Sequence, residues 1–158
     1  IITAAINHNI DLSAETDARD RVIVVIHAMA NGQYIRLPEA TTVNGGKHIR
    51  VIFGIAVTNA FAVGFLTTNI IGGATAVGDT DEANAPTDTA TAIADVGDTF
   101  KSVRFDLDDA GLAGGTGGTV LDFYYTGSAN LVVYRGSLIS EVDDPTLATH
   151  FSTTAANA

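Results

Sequence analysis

The chain has no cysteine, no tryptophan and one methionine among its 158 residues. Without cysteine there is no disulfide framework, no thiolate metal site and no thiol nucleophile. Eight basic residues face eighteen acidic ones, a formal net charge of −10. That deficit of Lys and Arg excludes nonspecific nucleic-acid binding, which needs clustered cations to neutralise phosphates, and it expects a basic or neutral partner. Long hydrophobic runs are also missing. The one stretch that approaches such a run, Phe61 to Leu66, is far short of the roughly 20 residues that span a bilayer, so no membrane segment is read. The first dozen residues, IITAAINHNIDL, lack the basic start of a signal peptide. Ile1 stands where an initiating Met would, so the numbering is read as beginning inside the gene product or after processing.

What the chain does have is Ala, Val and Ile spaced at period two. In residues 32 to 54, GQYIRLPEATTVNGGKHIRVIFG, the residues Tyr34, Ile35 and Leu37 form one run that Pro38 ends. After a Gly-Gly turn, Ile49, Val51 and Phe53 alternate as a second strand. Val22 to Ile26, VIVVI, is too short for a helix and reads as a strand buried on both faces. Ala28 to Gly32 reads as a turn, and Ile49 to Thr58 as one strand with Gly54 a bulge or close-approach site. Asn59 to Thr68 reads as strand, whole or broken at Gly64, and after Ile70 and Ile71 the pair Gly72 and Gly73 is expected to close that unit. Further strands are expected around Phe100 to Phe105, at Val120 to Tyr125 and at Leu131 to Tyr134, the last two joined by a hairpin over Thr126 to Asn130. Ser13 to Arg21 is either one capped helical turn or a solvated loop.

The expected architecture is therefore all-β: a single-domain β-sandwich or jelly-roll-like barrel with extended terminal arms and a long acidic loop. Residues 1–21 form an N-terminal arm and lead-in, of which 1–12 read as an edge strand or an extended arm, 22–136 the β domain, and 137–158 a C-terminal arm. Within the domain, residues 74–98 turn to Ala, Thr, Asp and Gly around Pro86 and read as a loop insertion.

Catalytic and metal chemistry finds little to stand on. Asp106, Asp108 and Asp109 are the candidate calcium ligands, but counting from Asp106 puts Ala110 and Gly117 where an EF-hand needs its third ligand and its distal Glu. A solvated acidic loop is the plainer reading, and no metal or other cofactor is assigned. Gly45, Gly46 and Lys47 lack the Ser or Thr and the following helix of a phosphate loop, so they read as a turn. His8, His27, His48 and His150 show no ligand spacing. No nucleophile elbow is present, and the expectation is a protein that is not an enzyme. Among the aromatics, Phe123 and Tyr125 share one side of a strand and Tyr124 takes the other, so one set fills the core and the other meets solvent, a partner or a sugar.

With strands placed, the order of elements resembles small tailed-phage structural proteins of the head decoration, or cement, type. The motifs that carry the resemblance are Asp11 to Ser13, the strand Val22 to Ile26, the Tyr-x-x-Leu-Pro-x-Ala-Thr segment Tyr34 to Thr41, Gly46 to Val51, Gly97 to Phe105, and the closing Val132 to Gly136. It implies a homotrimer on the outer capsid surface of a virion, where it binds the major capsid protein and stabilises contacts between its subunits. On that expectation the terminal segments make the contacts, through Ile2, Ile6, Ile10, Leu138, Ile139 and Phe151. The alternative is a tail-fibre or receptor-binding module whose tyrosines hold carbohydrate.

Overall fold

A computed structural model describes residues 1–4, 6–10, 20–27, 29, 32–55, 61–79, 89–92, 99–105, 117–140 and 151–153. Within these the chain is an all-β sandwich of two mixed sheets, with no α-helix and no closed barrel. The strands are β1 (His8–Asn9), β2 (Asp20–Val25), β3 (Gln33–Arg36), β4 (His48–Phe53), β5 (Phe61–Gly64), β6 (Asn69–Asp79), β7 (Thr89–Ala92), β8 (Ser102–Phe105), β9 (Val120–Tyr125), β10 (Leu131–Ser140) and β11 (Phe151–Ser152). The larger sheet runs β2-β4-β9-β10-β6-β7 and the smaller β1-β3-β5-β8-β11.

Period-two alternation decides which side chains meet between the sheets. From the larger sheet come Ile23, Val25, Ile49, Val51, Phe53, Leu121, Phe123, Tyr125, Val132, Tyr134 and Leu138, all buried. Ile35, Phe61, Val63 and Val103 answer them from the smaller sheet. Aromatic edges lock the two layers: Phe53 meets Phe61 at 5.5 Å and Tyr134 meets Phe151 at 5.6 Å, both edge to face. Such contacts add about 0.5–1.5 kcal/mol each beyond the area that they bury.

The two strands of the Leu-Pro, Gly-Gly stretch are both present, and they lie in opposite sheets. β3 belongs to the smaller sheet and β4 to the larger, so residues 37–47 cross the top of the sandwich. Gly46 adopts φ +78 and its amide donates to the Tyr125 carbonyl, while Gly45 sits against Gly127 so closely that a Cβ would come within 2.7 Å of its Cα. The glycines are turn and contact residues. The hairpin between β9 and β10 is also as read, with Val132 opposite Tyr125.

Four expectations are corrected. β2 buries one face only, because it is the edge strand of a sheet with a single core side: Val22 is 57% exposed and Ile26 49%. β4 ends at Phe53, and Gly54 bends away with its amide bonded to the Val25 carbonyl. The stretch from Ala74 is not all loop, since β6 continues through Gly72 and Gly73 to Asp79 and pairs with both β10 and β7. Opposite Val132 and Tyr134 stand Ile70 and Gly73, so β6 carries one extra residue, a bulge that the two glycines accommodate. The terminal segments are not free arms over their described residues. Ile2 exchanges hydrogen bonds with Val24 and Ile26 at the edge of β2, β10 runs on to Ser140, and Phe151–Ser152 pairs with β8. Unpaired backbone at sheet edges takes these segments in.

Gly64, where β5 ends, faces Ser102 across the antiparallel pair. A Cβ there would lie 2.3 Å from the Lys101 carbonyl oxygen and 2.6 Å from the Ser102 Cα, both backbone atoms that cannot rotate away. Gly64→Ala is expected to wedge β5 from β8 and cost roughly 1–3 kcal/mol. Thermal denaturation checks this, and an unchanged midpoint would show that the strands yield without cost.

Candidate functional site

The outward positions of the larger sheet gather the chain's described polar network. On β4 these positions are His48, Arg50 and Ile52, and on β9 Val120, Asp122 and Tyr124. Antiparallel register sets His48 opposite Tyr124, Arg50 opposite Asp122 and Ile52 opposite Val120. On the far side, β10 brings Val133 beside Tyr124, Arg135 beside Asp122 and Ser137 beside Val120. β2 flanks the other edge with Val22 beside Arg50 and Val24 beside Ile52.

Asp122 is the hub. Its Oδ1 accepts from Arg50 Nε at 2.7 Å and lies 2.6 Å from His48 Nε2, and its Oδ2 accepts from Arg50 Nη2 at 3.1 Å. This is the fork geometry that suits a guanidinium to a carboxylate. Burial pushes the Asp122 carboxyl up, but the hydrogen bonds and charges of Arg50 and His48 outweigh it and hold the group below its ordinary value. Arg50 is correspondingly held more firmly charged by its hydrogen bond and charge pairing with Asp122. The His48 ring lies flat on Tyr124, centroids 4.5 Å apart and 4° from parallel. Asp122, 7% exposed, thus has both carboxylate oxygens engaged by Arg50 and Oδ1 also against His48. What the face offers outward is the remaining surface of Arg50, the exposed Arg135, the partly open Tyr124 and a border of Val22, Ile26 and Val133.

A second cluster ties the crossover down. The Glu39 carboxylate accepts the Leu66, Thr67 and Thr68 amides at 2.7, 3.1 and 2.7 Å and the hydroxyls of Thr67 and Thr68 at 2.8 and 2.7 Å. Thr68 Oγ1 in turn accepts the Ala40 amide, and the buried Tyr125 hydroxyl donates to the Pro38 carbonyl. Burial pushes the Glu39 carboxyl up, and the hydrogen bonds from Thr68, Thr67 and the backbone bring it below its usual value. Burial, with the Glu39 charge nearby, raises the Tyr125 phenol and keeps it a donor. This cluster is structural: every oxygen is spent on the fold.

The expected contact residues divide. Ile2 and Leu138 are core, 4% and 1% exposed. Ile10 and Phe151 pack partly against the core, Phe151 on Phe100 at 5.7 Å, while Ile139 is half-buried and Ile6 stands exposed. Burial in the chain's own core removes Ile2 and Leu138 from any interface. Asp106, Asp108 and Asp109 lie outside the described residues. Among the described residues no three His, Asp or Glu side chains gather as a cation site, and no helix is long and apolar enough to cross a membrane. Of Phe123, Tyr124, Tyr125 and Tyr134, Tyr124 alone faces out and the other three fill the core.

The network of His48, Arg50, Asp122 and Tyr124 is not singled out by the sequence. Its one signal is parity: polar residues at alternate positions on two strands whose other face is apolar. No protein-family model, no curated protein and no solved structure matches the chain.

Proposed function

We propose that the protein is a non-enzymatic structural component of a tailed-phage particle, a decoration protein that binds the outer surface of the head and strengthens contacts between major capsid protein subunits. The resemblance carried by Tyr34 to Thr41, Gly46 to Val51 and Val132 to Gly136 supports the family reading. The observation that carries the functional one is the outer face of the larger sheet. Its side chains are apolar at the border and charged at the centre, with Val22, Tyr124 and Val133 each more than a third exposed. Rigid strands present them, and a fixed Arg–Asp–His network sets their register, which suits docking against another protein surface. Small contacts of this kind become strong when a symmetric shell repeats them.

The test is particle stability. Capsids lacking the protein are expected to lose integrity at lower temperature and to regain resistance when the purified protein is added back in amounts comparable to the major capsid protein. Equal resistance with and without it overturns the cementing role. Failure to attach to particles, combined with glycan binding that Tyr124→Ala abolishes, replaces it with the carbohydrate-recognition reading.

A further inference from the structure

We infer that the outer face of the smaller sheet is an oxyanion-binding site that takes a carboxylate or phosphate group between Arg36 and Arg104. It lies on the opposite side of the sandwich from the face that carries the decoration reading, and it stands whether or not that reading does.

Strand register builds the site. On β3, Tyr34 and Arg36 alternate with the buried Ile35, and β1 sets Asn9 beside Arg36. β5 comes next and offers only small residues, Ala62 opposite Tyr34 and Gly64 opposite Arg36. β8 follows with Arg104 opposite Ala62 and Ser102 opposite Gly64, and β11 adds Ser152 beside Ser102. Tyr34 and Arg36 therefore stand on one side of a low floor and Ser102 and Arg104 on the other, their backbones two strand spacings, or about 10 Å, apart.

Charge and an unmet donor say what fits there. The five strands of this sheet hold two arginines and none of the chain's eighteen acidic residues. Arg36 is only partly exposed, and its Nε is buried without a hydrogen-bond partner. Among the described residues no carboxylate pairs with it. Its guanidinium lies over the Tyr34 ring instead, with Cζ 5.0 Å from the centroid. That draws the charge back into the row of Tyr34, Ala62 and the exposed Arg104. A cation partly withdrawn from water without a counter-charge is costly, and buried donors without partners are rare. An oxyanion relieves both, because guanidinium N–H groups bind carboxylate and phosphate oxygens through strong charge-assisted hydrogen bonds. The net charge of −10 opposes an anion only from a distance, since at physiological ionic strength it is screened beyond about 8 Å.

Titrating the purified chain with sodium phosphate and, separately, with sodium glucuronate tests this by heteronuclear NMR, with chloride holding the ionic strength constant. The Nε–Hε signal of Arg36 and the amides of Tyr34 and Ala62 are expected to shift and to saturate with at least one of the two. The anion that saturates identifies the group as phosphate or carboxylate. Arg36→Gln and Arg104→Gln are each expected to weaken binding at least about tenfold through the loss of charge-assisted hydrogen bonds. Arg36→Lys keeps the charge without the fork and is expected to bind more weakly than wild type. Arg135→Gln, on the larger sheet, leaves the titration unchanged. A thermal midpoint in chloride that matches wild type shows that each variant is folded. Absence of a saturable shift with either anion overturns the site, as does saturation that Arg36→Gln or Arg104→Gln leaves unchanged.

Discussion

Phe123→Ala is expected to remove about 3–5 kcal/mol of stability, the cost of truncating a fully enclosed aromatic. Phe123 sits at the crossing of every layer of the core. It is 0% exposed, meets Phe65 edge to face at 5.7 Å and Tyr134 at 5.3 Å, and lies opposite Ile49 on one side and Tyr134 on the other in the sheet ladder. Ile49 and Tyr134 belong to strands pinned on both flanks, and the Phe65 amide just past β5 is tied to the Lys101 carbonyl, so they cannot collapse into the void. A domain of this length has a total stability of about 5–15 kcal/mol, which makes the loss a large share of it. Urea denaturation measures it as a fall in midpoint at constant slope. A loss under about 1 kcal/mol, within reach of a site that relaxes freely, would contradict the locked core described above.

Glu39→Ala is expected to cost roughly 1–3 kcal/mol, because hydrogen bonds to a charged acceptor are strong and its removal leaves the donors of the buried Thr68 unanswered, while those of the exposed Leu66 and Thr67 turn to water. Five donors from residues 66–68 converge on this one carboxylate, and the buried Thr68 also holds the Ala40 amide. Glu39→Gln keeps one side-chain oxygen and is expected to lose less. Acid reproduces the effect without mutation. The folded Glu39 carboxyl titrates below its ordinary 4.5, and the folded Asp122 carboxyl below its ordinary 3.8. Depressed values mean that both contributions are complete above the ordinary values and are lost as pH falls through the folded ones. Denaturation midpoints followed downward from pH 4.5 should drop for wild type and drop less for Glu39→Gln. Parallel slopes would show that Glu39 is not a proton-linked anchor.

How much of this could be read from the residues differs from element to element. Val120 to Tyr125 is visible as a strand with the bounds the structure gives, because large apolar side chains alternate and turn residues flank them. β3 and β4 are equally plain, being bounded by Pro38 and the Gly45–Gly46 turn. β6 is not. Its second half, GATAVGD, has no bulky side chain to signal burial, and it is a strand because β10 and β7 pair with it from distant parts of the chain. The two-faced burial expected for Val22 to Ile26 fails because composition cannot tell a strand covered on both faces from one in a sheet with a single core side. At the site, parity alone assigns His48 and Arg50 to one side of their strand and Asp122 and Tyr124 to one side of theirs. That these sides coincide depends on β4 and β9 being neighbours, more than sixty residues apart in the chain. Glu39 carries still less signal, because its donors come from a turn that only the folded sandwich brings near.

The parallel pairings carry a consequence for how the molecule is made. β2 lies along β4, β3 along β5, and β6 along β10, so no sheet grows simply from successive hairpins. While the chain is being synthesised, β6 can pair with β7 once Ala92 has emerged, but its other edge stays open until Leu131 and the residues after it follow. β8 likewise awaits Phe151 for its outer partner. Loop closure must be met before most native contacts can form, which makes the chain a slow, late folder whose unpaired strands are exposed to their neighbours in the meantime. A nascent chain that is stalled before residue 131 is thus a strand donor and acceptor for other copies, and the interval between synthesis and completion is when aggregation competes with folding.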